Sequence, residues 1–174
     1  LIIPHKSGII VKVRLDLKKR LRAQVEKEIK GQPMKYHFKV HKEKNGFWAE
    51  CLELGCVTQA DSKAELLHNM QEALDLYLSE PEASTLLFAE PKNILKGRNI
   101  VAVQVSPSVA FAMELRQTRL KRRMTQKAMM ELLGIRNLSN YQRLEDPERA
   151  NPELKTLFEL QEKLPELSVT RIFG

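Results

Sequence analysis

The sequence predicts an α+β unit followed by an all-α one, and three observations predict it. Between Met34 and Val105, short stretches alternate in polarity around one turn signal and one helix-start signal. From Ser106 onward, apolar residues recur only at helical spacing. The charge balance also changes along the chain: residues 34–105 carry eight basic against ten acidic residues, residues 106–174 twelve against nine, and residues 1–33 nine against three. The net charge of +7 therefore sits at the two ends. Those ends could meet phosphate, and the middle is poorly suited to nucleic acid. Charge alone does not separate DNA from RNA or from an acidic protein.

Three segments follow: residues 1–33, 34–105 and 106–174. In the first, Leu1-Ile2-Ile3-Pro4-His5 reads as the end of a strand. Leu15 to Ile29 reads as a basic helix with Leu17, Leu21 and Val25 at four-residue steps. Gly31-Gln32-Pro33 forms a junction. In the second, Tyr36, Phe38 and Val40 alternate with Lys35, His37, Lys39 and His41, the pattern of a half-buried antiparallel edge strand. Lys44-Asn45-Gly46 is a turn signal, and Phe47 to Leu52 is the returning strand of a hairpin. Gly55 breaks the run, and Cys56 to Ala60 forms a third strand. Ser62, with Glu65 three residues on, predicts a capping box. The helix it opens carries an apolar stripe of Leu66, Met70, Ala73, Leu74 and Tyr77. After a loop rich in Pro, Ser and Glu, Asn99 to Val105 gives a fourth strand with its valines on one side. The unit reads β-β-β-α-β.

The third segment opens at Ser106-Pro107, a capping residue and a proline whose φ is preset for a first helical turn. Its first helix runs through Phe111, Leu115 and Leu120 to the basic end Lys121-Arg122-Arg123. Thr125 caps a second helix, Gln126 to Leu133, with Ala128, Met129, Leu132 and Leu133 as its buried face, and Gly134 closes it. A short polar helix, roughly Asn137 to Leu144, follows. Asn151-Pro152 starts a last helix expected to pack through Leu154, Leu157, Phe158, Leu160 and Leu164. A polar helix after a tight turn and a basic helix end is hard to explain by packing alone. It is the pattern of a helix-turn-helix DNA reader. The candidate DNA-binding residues are Thr125, Gln126, Arg136, Asn137, Ser139, Asn140, Gln142 and Arg143, whose side chains can hydrogen-bond base edges or phosphates.

Catalytic chemistry finds little footing. Cys51 and Cys56 lack the paired spacing of a zinc site and read as reduced, buried thiols. His37 and His41 read as strand residues. Cleavage of phosphodiesters by metals needs several converging carboxylates. Only Glu50, Glu53 and Asp61 lie near the right strands, and Glu50 and Glu53 are expected on opposite faces. No enzyme activity, metal or cofactor is expected. No apolar run reaches membrane-spanning length and no secretory signal is present, so a soluble cytoplasmic protein is expected. The leading Leu1 suggests a fragment or a processed chain.

Two resemblances sharpen the reading. Thr125-Gln126, Leu133-Gly134-Ile135, Tyr141-Gln142-Arg143-Leu144-Glu145 and Asn151-Pro152 resemble the Cro and lambda-repressor class of helix-turn-helix domains, with one extra residue in the turn around Arg136 to Ser139. The hairpin with Trp48, the run Glu53-Leu54-Gly55-Cys56, the run Thr58-Gln59-Ala60-Asp61-Ser62 and the helix from Asn69 to Leu78 resemble the HicB family of antitoxins. Leu52 and Leu54 stand where that family commonly has a Pro. The resemblance implies a partial ribonuclease-H-like fold and the capture of a HicA-type toxin ribonuclease, which cleaves mRNA. It also implies repression of the protein's own operon at a palindromic operator duplex, by a homodimer or higher homo-oligomer. Toxin contacts are expected from Phe47, Trp48 and Glu50. Residues 1–33 are similar to the C-terminal half of HicA-type toxins, with His5 in a late turn and not at the catalytic position. A plain basic helix is the equal alternative. The rivals are a ligand-sensing helix-turn-helix transcription regulator without a toxin partner, and an RNA-binding protein that uses both basic ends.

Overall fold

The computed structural model describes residues 33–79, 84–92, 97–168 and 171–172. The basic segment read in residues 1–33 therefore lies outside the described residues, apart from Pro33. Strands β1 (Lys35–Glu43) and β2 (Gly46–Cys51) form the hairpin, β3 (Val57–Ala60) follows, helix α1 is Lys63–Leu78, and β4 is Ile100–Gln104. The remaining helices are α2 (Pro107–Lys121), α3 (Gln126–Leu133), α4 (Leu138–Glu145) and α5 (Leu154–Lys163). This is a mixed α+β region followed by a helical one.

The four strands are antiparallel in the order β3-β2-β1-β4. Strand β1 is thus central and not the edge that its alternation suggested; β3 and β4 are the edges. Alternation reports that one face is wetter than the other, and it carries no information about how many neighbours a strand has. At the hairpin, Gly46 has φ +149°, and a Cβ there would lie 2.7 Å from the Ala60 carbonyl oxygen, so only glycine lets β3 approach.

The register puts Tyr36, Phe38 and Val40 of β1 on one face with Ala49 and Cys51 of β2 and Val101 and Val103 of β4. That face packs on α1, whose buried row is Leu66, Met70, Leu74 and Leu78. These four share one i, i+4 row. Tyr77, expected in that row, lies beside it and tilts against Phe88, with ring centroids 5.9 Å apart. Ser62 caps α1 by accepting the Glu65 N–H at 3.2 Å; Glu65 returns its bond to the Asp61 N–H, one residue earlier than a capping box requires.

Helix α2 is buried all round from Val109 to Arg119, far beyond the stripe of Phe111, Leu115 and Leu120 that the sequence suggested. Residues 84–92 lie across it. Arg116 donates to the Ser84 carbonyl at 3.1 Å, Gln117 to the Leu86 carbonyl at 3.1 Å, and the Tyr36 hydroxyl to the Ala89 carbonyl at 2.9 Å. Glu90 is held by Lys121 at 2.7 Å and Arg171 at 2.9 Å. Of the buried polar residues of α2, Arg116 and Gln117 meet peptide oxygens of that segment, and Arg119 meets Glu145 of α4. The start of α2 is held from outside: Ser106 makes no side-chain cap, and instead its N–H and hydroxyl both donate to Asp75 of α1, at 3.0 and 2.5 Å.

Met129, Leu133, Tyr141, Leu157, Leu160, Leu164 and Leu167 complete the helical core. In this helical region three residues read as core are exposed, Leu132, Leu154 and Phe158, as Tyr77 is in α1. The last helix starts at Leu154 on Glu153, past Asn151-Pro152, and its buried row is Leu157, Leu160 and Leu164. Leu154 and Phe158 stand on the neighbouring face, one turn apart. Among the described residues, no helix is long and apolar enough to cross a membrane.

Candidate functional site

The placement of α3 and α4 is set by four local devices. At the end of α2, Arg123 takes a left-handed φ of 55°; its N–H bonds the Leu120 carbonyl at 2.9 Å and the Met124 N–H bonds the Arg119 carbonyl at 3.1 Å. This is a Schellman ending built on an arginine. Thr125 then caps α3 by accepting the Ala128 N–H at 3.1 Å. Gly134, φ 70°, closes α3 with a second Schellman pair, Gly134 to Glu131 at 3.1 Å and Ile135 to Met130 at 3.0 Å. Asn137 caps α4 through the Asn140 N–H at 2.8 Å. Asn137 is therefore the residue before the helix and not its first turn.

Beneath α4 lies a buried charged cluster. Arg119 grips Glu145 with two hydrogen bonds, 2.7 and 2.9 Å long, and also reaches the Met124 carbonyl at 3.3 Å. The Tyr141 hydroxyl donates to Glu145 as well, and Gln126 donates to it at 3.1 Å. Burial and the Glu145 carboxylate raise the Tyr141 hydroxyl above its ordinary range, which keeps it a donor. Burial alone would lower the Arg119 guanidinium, but the bonds to Glu145 outweigh it and the group is held more firmly charged than usual. Gln142 in turn donates to Gln126 at 3.2 Å, tying α4 to the first residue of α3.

The eight candidate DNA-binding residues divide accordingly. Thr125, Arg136, Asn137, Ser139, Asn140 and Arg143 are exposed, while Gln126 and Gln142 are half-buried and bonded to each other. The side-chain oxygens of Thr125 and Asn137 already serve as caps. Ser139, Asn140 and Arg143 share the outward side of α4 by their i, i+4 and i, i+3 spacing. Sequence reasoning passed over Lys127, exposed two residues along from Thr125, and the buried partnership of Arg119 with Glu145. A spacing of 26 residues leaves no local signal for such a pair.

In the α+β region, Phe47, Trp48 and Glu50 do not share one surface. Trp48 and Glu50 point away from α1. Phe47 points toward it, with the Lys63 ammonium 5.8 Å from its ring centre. Trp48 stacks on its cross-strand partner His41, with centroids 4.1 Å apart and planes 8° apart, and His41 Nε2 lies 3.5 Å from Glu50. An open groove of about 800 Å³ curls round the β3 edge, lined by Phe47, Trp48 and Val57 together with Glu43, Asp61 and Glu65. It takes in two of the three candidates and leaves out Glu50.

Glu53 leaves the strand at the turn after β2, so face alternation does not govern it. Its buried carboxylate accepts the His37 N–H at 3.0 Å and pairs with His37 Nδ1 at 2.7 Å. His37 is buried in consequence, against the expectation of a solvent-facing residue. The thiols of Cys51 and Cys56 are free, the first buried and the second half-buried. The hydrogen bond between them lowers the Cys51 thiol and raises that of Cys56. Among the described residues, no group of three or more His, Cys, Asp or Glu side chains could hold a metal ion.

No family model matches the chain. Over 55 residues it is 44% identical to a protein of Helicobacter pylori (strain J99) described as "UPF0150 protein", in an alignment that spans 31% of this chain and 76% of that protein. By that likeness, the chain belongs to the UPF0150 family.

Proposed function

We propose that this chain is a DNA-binding repressor and antitoxin of the HicB type. Its helical region reads operator DNA as a homo-oligomer, and its α+β region, a partial ribonuclease-H-like fold, covers the active site of a small basic HicA-type ribonuclease. The observation that carries the reading is α4, a short helix held from beneath by the Arg119–Glu145 pair, with Ser139, Asn140 and Arg143 free to face outward. A polar helix fixed that firmly suits the major groove, where guanidinium and amide side chains match base edges. The second half of the reading is supported by the groove at the β3 edge. It takes in Phe47, Trp48 and Val57 beside Glu43, Asp61 and Glu65, three carboxylates that would complement a protein built to bind RNA. The mechanism is steric and electrostatic, without catalysis or cofactor, and its setting is the cytoplasm.

The test is co-purification of the full chain with a small basic HicA-type protein, followed by that partner's ribonuclease activity with and without it. A tight complex with activity suppressed is the expected result. A chain that ignores the ribonuclease and instead binds a small molecule would turn the reading toward a ligand-sensing regulator.

A further inference from the structure

Cys51 and Cys56 are the two cysteines of the chain, and the pairing of β2 with β3 sets them face to face. Ala49 lies opposite Thr58 and Glu50 opposite Val57, and one further step of the same register brings Cys51 opposite Cys56. The Cys51 N–H bonds the Cys56 carbonyl at 2.8 Å, so that step is made. Residues 52–55 close the turn between them, and the Gly55 N–H bonds the Cys51 carbonyl at 2.8 Å. Directly opposed residues of an antiparallel pair have Cα atoms about 4.5–5.5 Å apart, inside the roughly 4.4–6.8 Å that a disulfide spans. The two sulfurs already meet. The hydrogen bond between the thiols lowers that of Cys51 and so puts thiolate character on one sulfur of the pair.

We infer that Cys51 and Cys56 are a redox site, closed into a disulfide by a hydroperoxide and reopened by a small thiol, and that the closed bond clamps the edge strand β3 onto β2. Half-buried Cys56 is where a small oxidant enters, with buried Cys51 behind it. One sulfur, as thiolate, attacks an oxygen of hydrogen peroxide; the O–O bond breaks, hydroxide leaves and takes up the proton that the thiol had shed, and a sulfenic acid remains. The second thiol attacks that sulfur, forms the S–S bond and releases another water. Two electrons and two protons thus pass from the thiols to the peroxide. Two exchange steps with a small thiol return them.

Strand β3 is the element such a bond would hold. It has only four residues, Val57–Ala60, pairs in the sheet with β2 alone, and follows Cys56 directly. The other side of the turn is already fixed. The Leu52 N–H bonds the carbonyl of His37 on the central strand at 2.8 Å, and the buried Glu53 carboxylate holds the His37 N–H and ring. A covalent link at Cys51 therefore ties the edge to a fixed point. The inference does not depend on the proposed function.

The full chain, reduced and freed of thiol, is treated with hydrogen peroxide, alkylated under denaturing conditions and weighed intact. The expected product is lighter by two hydrogen atoms, takes up no alkyl group, carries a crosslink between residues 51 and 56, and regains both thiols with dithiothreitol. Deuterium exchange of the Val57–Ala60 amides should slow at least about threefold on oxidation, and should not change in Cys56→Ser treated alike. Uptake of two alkyl groups after peroxide, separate oxidation of each sulfur to a sulfinic acid, or crosslinks only between chains overturns the site. A disulfide that leaves exchange in β3 unchanged overturns the clamp.

Discussion

Arg119 of α2 and Glu145 at the end of α4 meet through two hydrogen bonds of 2.7 and 2.9 Å, with side chains only 8% and 1% exposed. The pair joins the two elements that matter most: the helix buried between the sheet region and the bundle, and the helix offered to solvent. The orientation of α4 is thereby fixed by α2, which is itself anchored by Asp75 and by residues 84–92.

Removing one partner leaves the other charge buried without compensation. Arg119→Ala or Glu145→Ala is expected to cost about 3–5 kcal/mol in urea unfolding. The double change Arg119→Met with Glu145→Leu should cost clearly less than either single loss, because no orphan charge remains. Equal costs for the single and double variants would show that the pair is not the anchor.

Two backbone positions should respond in opposite senses. Gly46→Ala forces a Cβ against the Ala60 carbonyl at positive φ, and a loss of about 1–3 kcal/mol is expected. Arg123→Gly relieves a left-handed arginine, worth about 1–2 kcal/mol, and gives back about 1 in unfolded-chain entropy. A small net gain in thermal midpoint is the expected reading.

Acid should loosen the contact of residues 84–92 with the helices. Burial pushes the Glu90 carboxyl up, but hydrogen bonds from Lys121 and Arg171 outweigh it and hold the group below the ordinary value of 4.5. A carboxylate depressed in the folded state contributes stability that is complete above that value and is lost as pH falls through the lower folded one. The stability gap between the native chain and Glu90→Gln should therefore be constant near neutrality and close on acidification below about 4.5. Glu114 works in the opposite sense: burial raises it, so its contribution fades as pH rises.

Much of this was legible in the sequence because it is local. The turn at Lys44-Asn45-Gly46, the caps Ser62 and Thr125, and the closing Gly134 each act within a few residues, and each sits where its pattern points. What the sequence hid is pairing at a distance. Alternation in β1 could not reveal a strand on either side of it. The composition of α2 could not reveal that Arg116, Gln117 and Arg119 would be buried, because their partners lie 32, 31 and 26 residues away. The same limit applies to the sites. Exposure of Ser139, Asn140 and Arg143 follows from helical spacing. The bond between Gln126 and Gln142, and the separation of Phe47 from Trp48 and Glu50, depend on how elements meet. Leu154 and Phe158 look like core on any apolar scale, and only the start of α5 at Leu154 shows them facing out.

The outward face of α4 is the centre of the functional account, and one measurement addresses it most directly. The chain is offered a randomised pool of DNA duplexes, and the enriched sequence is titrated at fixed salt with the native chain and with Arg143→Ala. The account predicts one recurrent sequence, bound at least about a thousandfold more tightly than random duplex. Arg143→Ala should weaken that binding by about 1–3 kcal/mol and relax the preference at one base position. No enriched sequence, with single strands bound as well as duplexes, would contradict it.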